Sequence, residues 1–144
     1  MIKALPNKWI KKALFDVLNG IVVDGKTIKC YDNFVTGNKR PNNYILLTTQ
    51  SNEVEKANKC EYFWDSDILI DIVTIYQRSG NTGSTLLVDN ISDEVRRLTD
   101  VLVLDPASGL EIFTQTQSFP NTLSQHSQNE IIFRNLVRIT MRIQ

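Results

Sequence analysis

The chain has 144 residues, 42% hydrophobic and 22% charged, with 16 Lys and Arg against 16 Asp and Glu, so its formal net charge is zero. That length suits one domain with its own core, and the zero balance argues against a free-standing nucleic-acid binder, whose affinity comes from a basic excess. No apolar run approaches the roughly 20 residues that a bilayer crossing needs, and Met1–Pro6 carries no secretory apolar core, so the expectation is an intracellular product with no membrane partner.

Pro6 opens the first predicted element, since proline fits the first turn of a helix. Ile10, Ala13, Leu14, Val17 and Leu18 make one apolar stripe at helical spacing, and Gly20 is a natural stop. Trp9 and Phe15 lie off that stripe, as peripheral core or as a partner-facing pair. Ile21 to Ile28 reads as a hairpin, because Asp24-Gly25 supplies the positive φ angles of a two-residue turn. Its second strand runs toward Tyr31, and Asn33 to Asn43 is a loop by composition. Tyr44 to Gln50 is a third strand, with Ser51 to Lys59 an exposed polar connection.

Tyr62 to Tyr76 is the longest predicted strand. Ile68, Ile70 and Ile72 fall on one face, and Asp67, Leu69, Asp71, Val73 and Ile75 on the other. The second face is mixed, so its apolar members need cover, either from a neighbouring subunit or from a loop of the same chain. Asn81 to Ser84 is a turn with an N-cap candidate. From Ser84 to Val103, Leu87, Ile91, Val95, Leu98 and Leu102 recur at helical spacing, with Asp93 and Arg97 an i,i+4 pair outside. Asp105 to Gly109 stops that helix. Leu110 to Phe119 is a fifth strand, Pro120 to Asn129 a Ser-, Gln- and Asn-rich loop, and Ile131 to Ile143 a last strand with Arg134, Arg138 and Arg142 on one face. The order predicts an α+β fold in two layers, a mainly antiparallel β-sheet with two helices packed on one face, as a single domain over 1–144.

Candidate chemistry is sparse. Asp65, Asp67 and Asp71 share a strand face, but Asp67 and Asp71 stand about 13 Å apart at roughly 3.3 Å per residue, too far for a direct dyad. His126, the one histidine, lies in the polar loop beside Ser124 and Ser127, and adjacency in sequence does not make a triad. Gly80 to Gly83 lacks the Lys-Ser/Thr of a phosphate loop. Cys30 and Cys60 are expected as free thiols, a cystine being the alternative if their strands adjoin, and one histidine is too few for a zinc centre. No cofactor or metal is expected. Lys8, Lys11 and Lys12, Lys39-Arg40, and the three strand arginines form small basic groups. The arginines serve as a solvated face, as ion pairs to the aspartate face, or as pairs to Asp67 and Asp71 of a neighbouring subunit.

This order resembles the phage tail terminator family, also called tail completion proteins, and related ring proteins of the virus neck. The residues that carry the match are the helix ending at Leu18-Asn19-Gly20, the strand reaching Tyr31-Asp32, Leu69 to Tyr76 with the turn Gly80 to Gly83, the helix running to Leu102, and the closing strand Leu136 to Ile143. The resemblance covers nearly the whole chain and departs in the segment 113–130, which is extended. It implies a non-enzymatic virion protein, present in the host cytoplasm during assembly. It also implies a self-assembled ring, six and twelve copies both fitting, that meets tail-tube, connector or other ring proteins. DNA passes through such a ring without sequence-specific binding.

The expected subunit interface comprises Asp67, Asp71, Val73, Ile75, Arg134, Arg138 and Arg142 on the sheet, with Phe119 and His126 on a hairpin that projects at about 113–130. Two readings from other classes compete: a small hydrolase or nucleotide-modifying enzyme on the aspartate face, and a monomeric peptide-binding module with a free sheet edge.

Overall fold

The computed structural model describes residues 5–37, 40–56, 62–77 and 83–144. Cys60, Lys39, Met1 to Ala4, the turn residues 80–82 and the end of the connection after Lys56 lie outside them. The elements run α1 Asn7–Leu18, β1 Ile21–Val23, β2 Lys26–Asp32, β3 Asn43–Lys56, β4 Tyr62–Gln77, α2 Leu86–Thr99, a short 3-10 turn Pro106–Ser108, β5 Ile112–His126 and β6 Glu130–Ile143. The six strands form one sheet in the order β1-β2-β3-β4-β6-β5. Every neighbouring pair is antiparallel except β2 with β3.

Each element follows from its pattern. Pro6 caps α1, and Ile10, Ala13, Leu14 and Leu18 are buried on the predicted stripe. Asp24 and Gly25 both take positive φ, +52° and +76°, and turn β1 into β2. Ile68, Ile70 and Ile72 of β4 are fully buried beneath the helices, beside Val137, Ile139, Met141 and Ile143 of β6. Leu87, Val88, Ile91 and Val95 of α2 close the same core. The α+β layering expected from the sequence is what the structure has.

Four expectations need correction, and one alternative left open, the cover of the mixed face, is decided. β3 does not stop at Gln50 but continues to Lys56, so Ser51 to Lys56 is strand, not connection. A bulge absorbs the irregularity there: Thr48 pairs with Leu69 but Ser51 with Asp67, and Thr49 takes φ +44°. α2 ends at Thr99 rather than near Val103, although Leu102 and Leu104 beyond it remain buried. Arg97 pairs with Glu94 at 2.5 Å, not with Asp93. The mixed face of β4 is covered by its own chain where it is apolar: Val73 and Ile75 pack with Tyr44, Tyr31, Val35, Leu46 and Ile132.

The fourth correction is the largest. The segment read as a polar loop from Pro120 to Asn129 is strand as far as His126, paired with β6 down to the register His126↔Ile131. The turn is only 127–129, tied by Ser127 N–H to the Glu130 carbonyl and by Glu130 N–H to Ser127 Oγ. Proline is tolerated because β5 is an edge strand, where an N–H facing outward has no ladder partner to lose.

Candidate interaction surfaces

Three features of the folded chain meet its surroundings: the sheet face turned away from the helices, the β5 edge, and the opposite edge beside β2.

The outer sheet face is an ion-pair ladder between β4 and β6. Arg134 lies one strand over from Val73 and reaches diagonally to Asp71, with Nε donating to Oδ1 at 3.2 Å and the terminal nitrogen donating to Oδ2. Asp71 is almost wholly buried, with a side chain 5% exposed. Arg138 approaches Asp67 at 3.8 Å. Arg142 donates to Asp65 at 2.9 Å and to Glu55 at 2.6 Å, and its guanidinium lies 5.6 Å from the Phe63 ring centre. The hydrogen bond from Arg142 holds the Asp65 carboxyl below the usual carboxylate range, with burial opposing and Glu55 assisting. The same contact raises Arg142, and the bonds that Arg134 donates to Asp71 raise Arg134. The three arginines therefore pair with aspartates of their own chain, so Asp67, Asp71, Arg134, Arg138 and Arg142 form a cross-strand ladder. Of the readings left open for the arginines, ion pairs to the aspartate face of the same chain are the ones the geometry shows: diagonal and opposite positions on adjacent strands lie within reach of an arginine side chain. Val73 and Ile75, 2% and 4% exposed, are likewise buried within the chain.

The first-helix lysines are also matched within the chain. Lys11 meets Asp32 at 2.9 Å, Lys12 pairs with Asp105, and Lys8 lies 4.9 Å from the Trp9 ring centre. The Asp105 hydrogen bond raises Lys12, and the same contact lowers Asp105. Cys30 is a buried free thiol, and burial, with the Asp32 charge behind it, pushes it up to about 12. A thiol held neutral in this way is a poor nucleophile.

β5 is of another character. Its 15 residues contain no Lys, Arg, Asp or Glu. Its first half is anchored: Gln115 Nε2 donates to the Thr99 carbonyl, and Gln117 Nε2 donates to Thr99 Oγ1 at 2.7 Å and to the Arg96 carbonyl at 3.4 Å. Carbonyls in the last turn of a helix have no partner within it, so these two glutamines close the end of α2 and bind β5 to it. Nothing in the sequence reading assigned them a role. An alternation of polar Gln with Thr and Ser on a strand, just after a helix, is the only trace they leave.

The second half, 118–126, is exposed on both faces. Two bulges fall at aromatic residues, and the Phe113 ring lies 6.2 Å from that of Phe63. Phe113 is an extra residue between the pairs Ile112↔Ile143 and Thr114↔Arg142, and Phe119 with Pro120 opposes a single β6 residue between Ser118↔Arg138 and Asn121↔Leu136. Phe113, Phe119 and Leu123 are 66%, 52% and 44% exposed. His126 is exposed at the end of the strand, as expected, but in a ladder pair rather than a loop. Among the described residues no strand pairs with the outer edge of β5.

At the other end of the sheet, β1 is only three residues long and covers β2 no further than Ile28. Beyond it the Cys30 N–H is taken by the Asn19 side chain at 3.1 Å. A groove of about 500 Å³ opens there, lined by Phe15, Asn19, Cys30, Tyr31 and Thr36 among others.

No family model matches the sequence, and no curated protein matches it. Among solved structures, the chain is similar in fold to a chain of the "Virion of native gene transfer agent (GTA) particle". The TM-score is 0.59 at 13% identity, covering 94% of this chain and 96% of that one. At such identity the likeness is one of fold, and it spans nearly all of both chains. Among the described residues no helix is long and apolar enough to cross a membrane, and no group of three metal-ligating side chains occurs.

Proposed function

We propose that this chain is a structural virion protein, the repeating subunit of a ring at the tail or neck of a phage-like particle, of the tail terminator type. The observation that carries the proposal is the likeness in fold, end to end, to a chain of a gene transfer agent virion. The sequence resemblance supports the same reading independently. So does the chemistry of the surface. The aspartates that an enzyme would recruit are neutralised by Arg134, Arg138 and Arg142, whereas the exposed, uncharged material is concentrated on a sheet edge. A subunit that works by contact needs such an edge, and a hydrolase does not. In this reading the ring meets a tail-tube, connector or further ring protein along its axis, DNA passes through it unread, and the β5–β6 hairpin with Phe119 and His126 belongs to the contact surface.

Native mass spectrometry of the purified chain, and imaging of assembled particles, test this directly. A cyclic species in either is the expected result. A chain that is a single copy in the particle, or absent from it, overturns the reading.

A further inference from the structure

We propose that Asn19-Gly20 is a spontaneous modification site that the fold holds shut and that opening of the α1–β1 corner releases, so that a chain modified while open can no longer close correctly. This goes beyond the ring reading and does not depend on it.

An asparagine followed by glycine is the pair most prone to deamidation, because glycine has no side chain to hinder its nitrogen and turns freely. The chain contains one such pair. In the reaction the Gly20 nitrogen loses its proton to solvent and bonds to Asn19 Cγ, while the side-chain nitrogen leaves as ammonia. Water then opens the cyclic imide at either carbonyl and leaves aspartate or isoaspartate. Water and mild base are the only co-reactants.

Asn19 is exposed, so solvent reaches it. Three features of the corner nevertheless oppose ring closure. Closure needs the Gly20 nitrogen brought round to the side of the Asn19 side chain, and at ψ +123° it is turned away. The Gly20 N–H is donated to the Ile28 carbonyl at 2.8 Å, so that nitrogen is held in the hairpin. Asn19 Oδ1 accepts from the Cys30 N–H at 3.1 Å, which draws the side chain across to β2. The glycine itself is required here. A Cβ at position 20 would meet no atom within 4 Å, but φ is +81°, where other residues are strained. The reactive pair therefore belongs to the turn, and the two hydrogen bonds keep it inert.

Proteins open locally at far lower cost than they unfold. When the corner opens, both bonds and the ψ restraint go together, and the rate should follow the time spent open. The two products differ in what they permit afterwards. Aspartate keeps the length of the backbone and an acceptor for the Cys30 N–H. Isoaspartate routes the chain through Cβ and Cγ and adds a backbone atom before Gly20, so neither bond can re-form in register. Isoaspartate alone is barred from closing.

The test holds the full chain at mildly alkaline pH, folded and in urea, and weighs the tryptic peptide 13–26 over time. Asn19 is the one side-chain amide in that peptide, so a mass gain from NH2 to OH belongs to it. The folded chain should react on the order of tenfold or more slowly than the unfolded one. Equal rates would overturn the proposal. Leu18→Ala removes a fully buried side chain at the corner and should raise the folded-state rate several-fold. If that variant does not fold, Val17→Ala, at a half-buried position beside it, takes its place. A folded variant that reacts no faster would show that the corner does not gate the site and would overturn the proposal too. The urea-reacted mixture is then returned to buffer, and the compact chains are collected by gel filtration. They should carry asparagine or aspartate at position 19 and be depleted of isoaspartate. Isoaspartate recovered there in its starting proportion would likewise overturn the proposal.

Discussion

β4 and β5 flank β6 on either side and are nearly equal in length, at 16 and 15 residues. Both pair with β6 along almost all of it. β4 alternates isoleucine with aspartate over its middle and is buried on both faces over residues 70–75, by helices beneath and by Tyr44, Tyr31, Val35, Leu46, Ile132 and the Arg134 side chain above. β5 is threonine, glutamine and serine by pattern and leaves its second half open on both faces. Equal ladders therefore carry unequal burial. Backbone pairing gives β5 its conformation, and side-chain burial gives β4 the stability of the domain. That division is what the proposed contact role of the β5–β6 hairpin would call for.

The sharpest way to break this comparison is to truncate one side chain in each strand. Ile70→Ala removes a fully buried side chain and should cost about 2–5 kcal/mol. Leu123→Ala, at a position 44% exposed, should stay within about 0.5 kcal/mol. Urea midpoints at constant slope measure both. Comparable losses would show that β5 carries core stability after all.

A second prediction separates the rungs of the ion-pair ladder. Arg134→Ala strands the Asp71 carboxylate, whose side chain is 5% exposed, and should cost about 2–3 kcal/mol, mostly as the penalty of an unpaired buried charge. Arg138→Ala removes a longer, 3.8 Å pair whose partners are 48% and 35% exposed and should cost less than about 1 kcal/mol. Equal costs would deny that burial sets the value of a rung.

The attachment of β5 to α2 can be loosened without touching β4. Gln115→Ala and Gln117→Ala each reopen a helix-end carbonyl and should cost about 1 kcal/mol. Hydrogen exchange should quicken in β5 and the last turn of α2 while β4 amides keep their protection. Uniform quickening across the sheet would mean that the glutamines support the whole domain instead.

Legibility in the sequence followed the same division. β4, β6 and both helices were readable because their apolar residues alternate or recur with a helical period, and burial leaves that imprint. The second half of β5 left none, since an edge strand exposed on both faces has no reason to alternate, and Pro120 with Ser, Gln and Asn mimics a loop. The same failure hid Ser51 to Lys56 of β3. The three aspartates and three arginines were legible as facing sets. Ion pairs between them were among the readings, but which arginine meets which aspartate was not legible, because it depends on the β4–β6 register, with Asp71 opposite Leu136 and Arg134 opposite Val73. The groove beside β2 could not be foreseen, because it is made by the early end of β1 and by Asn19 turning back onto Cys30. Phe119 was legible as the last residue of the fifth strand, but not the bulge it forms with Pro120 or the strand that continues beyond it.

The smallest expected effect concerns acid, and it sharpens the contrast from the solvent-facing end of the ladder. Asp65 is held below its ordinary value, first by the Arg142 hydrogen bond, with Glu55 assisting and burial opposing. A carboxyl whose pKa is lower folded than unfolded adds stability that is complete above the unfolded value, near about 3.9. That contribution is lost as pH falls through the folded value. Glu94 and Asp105 are lowered in the same direction by Arg97 and Lys12. Stability should therefore be flat from neutral pH to about pH 5 and decline below about pH 4. Arg142→Ala should flatten part of that decline and change little at pH 7, because Asp65, Glu55 and Arg142 are each more than a third exposed and water screens their attraction. Denaturant midpoints from pH 7 to pH 2.5 in 0.15 M salt would measure it. If Arg142→Ala leaves the acid limb unchanged, the outermost rung is ornamental, and the ladder holds the sheet only where Asp71 is buried.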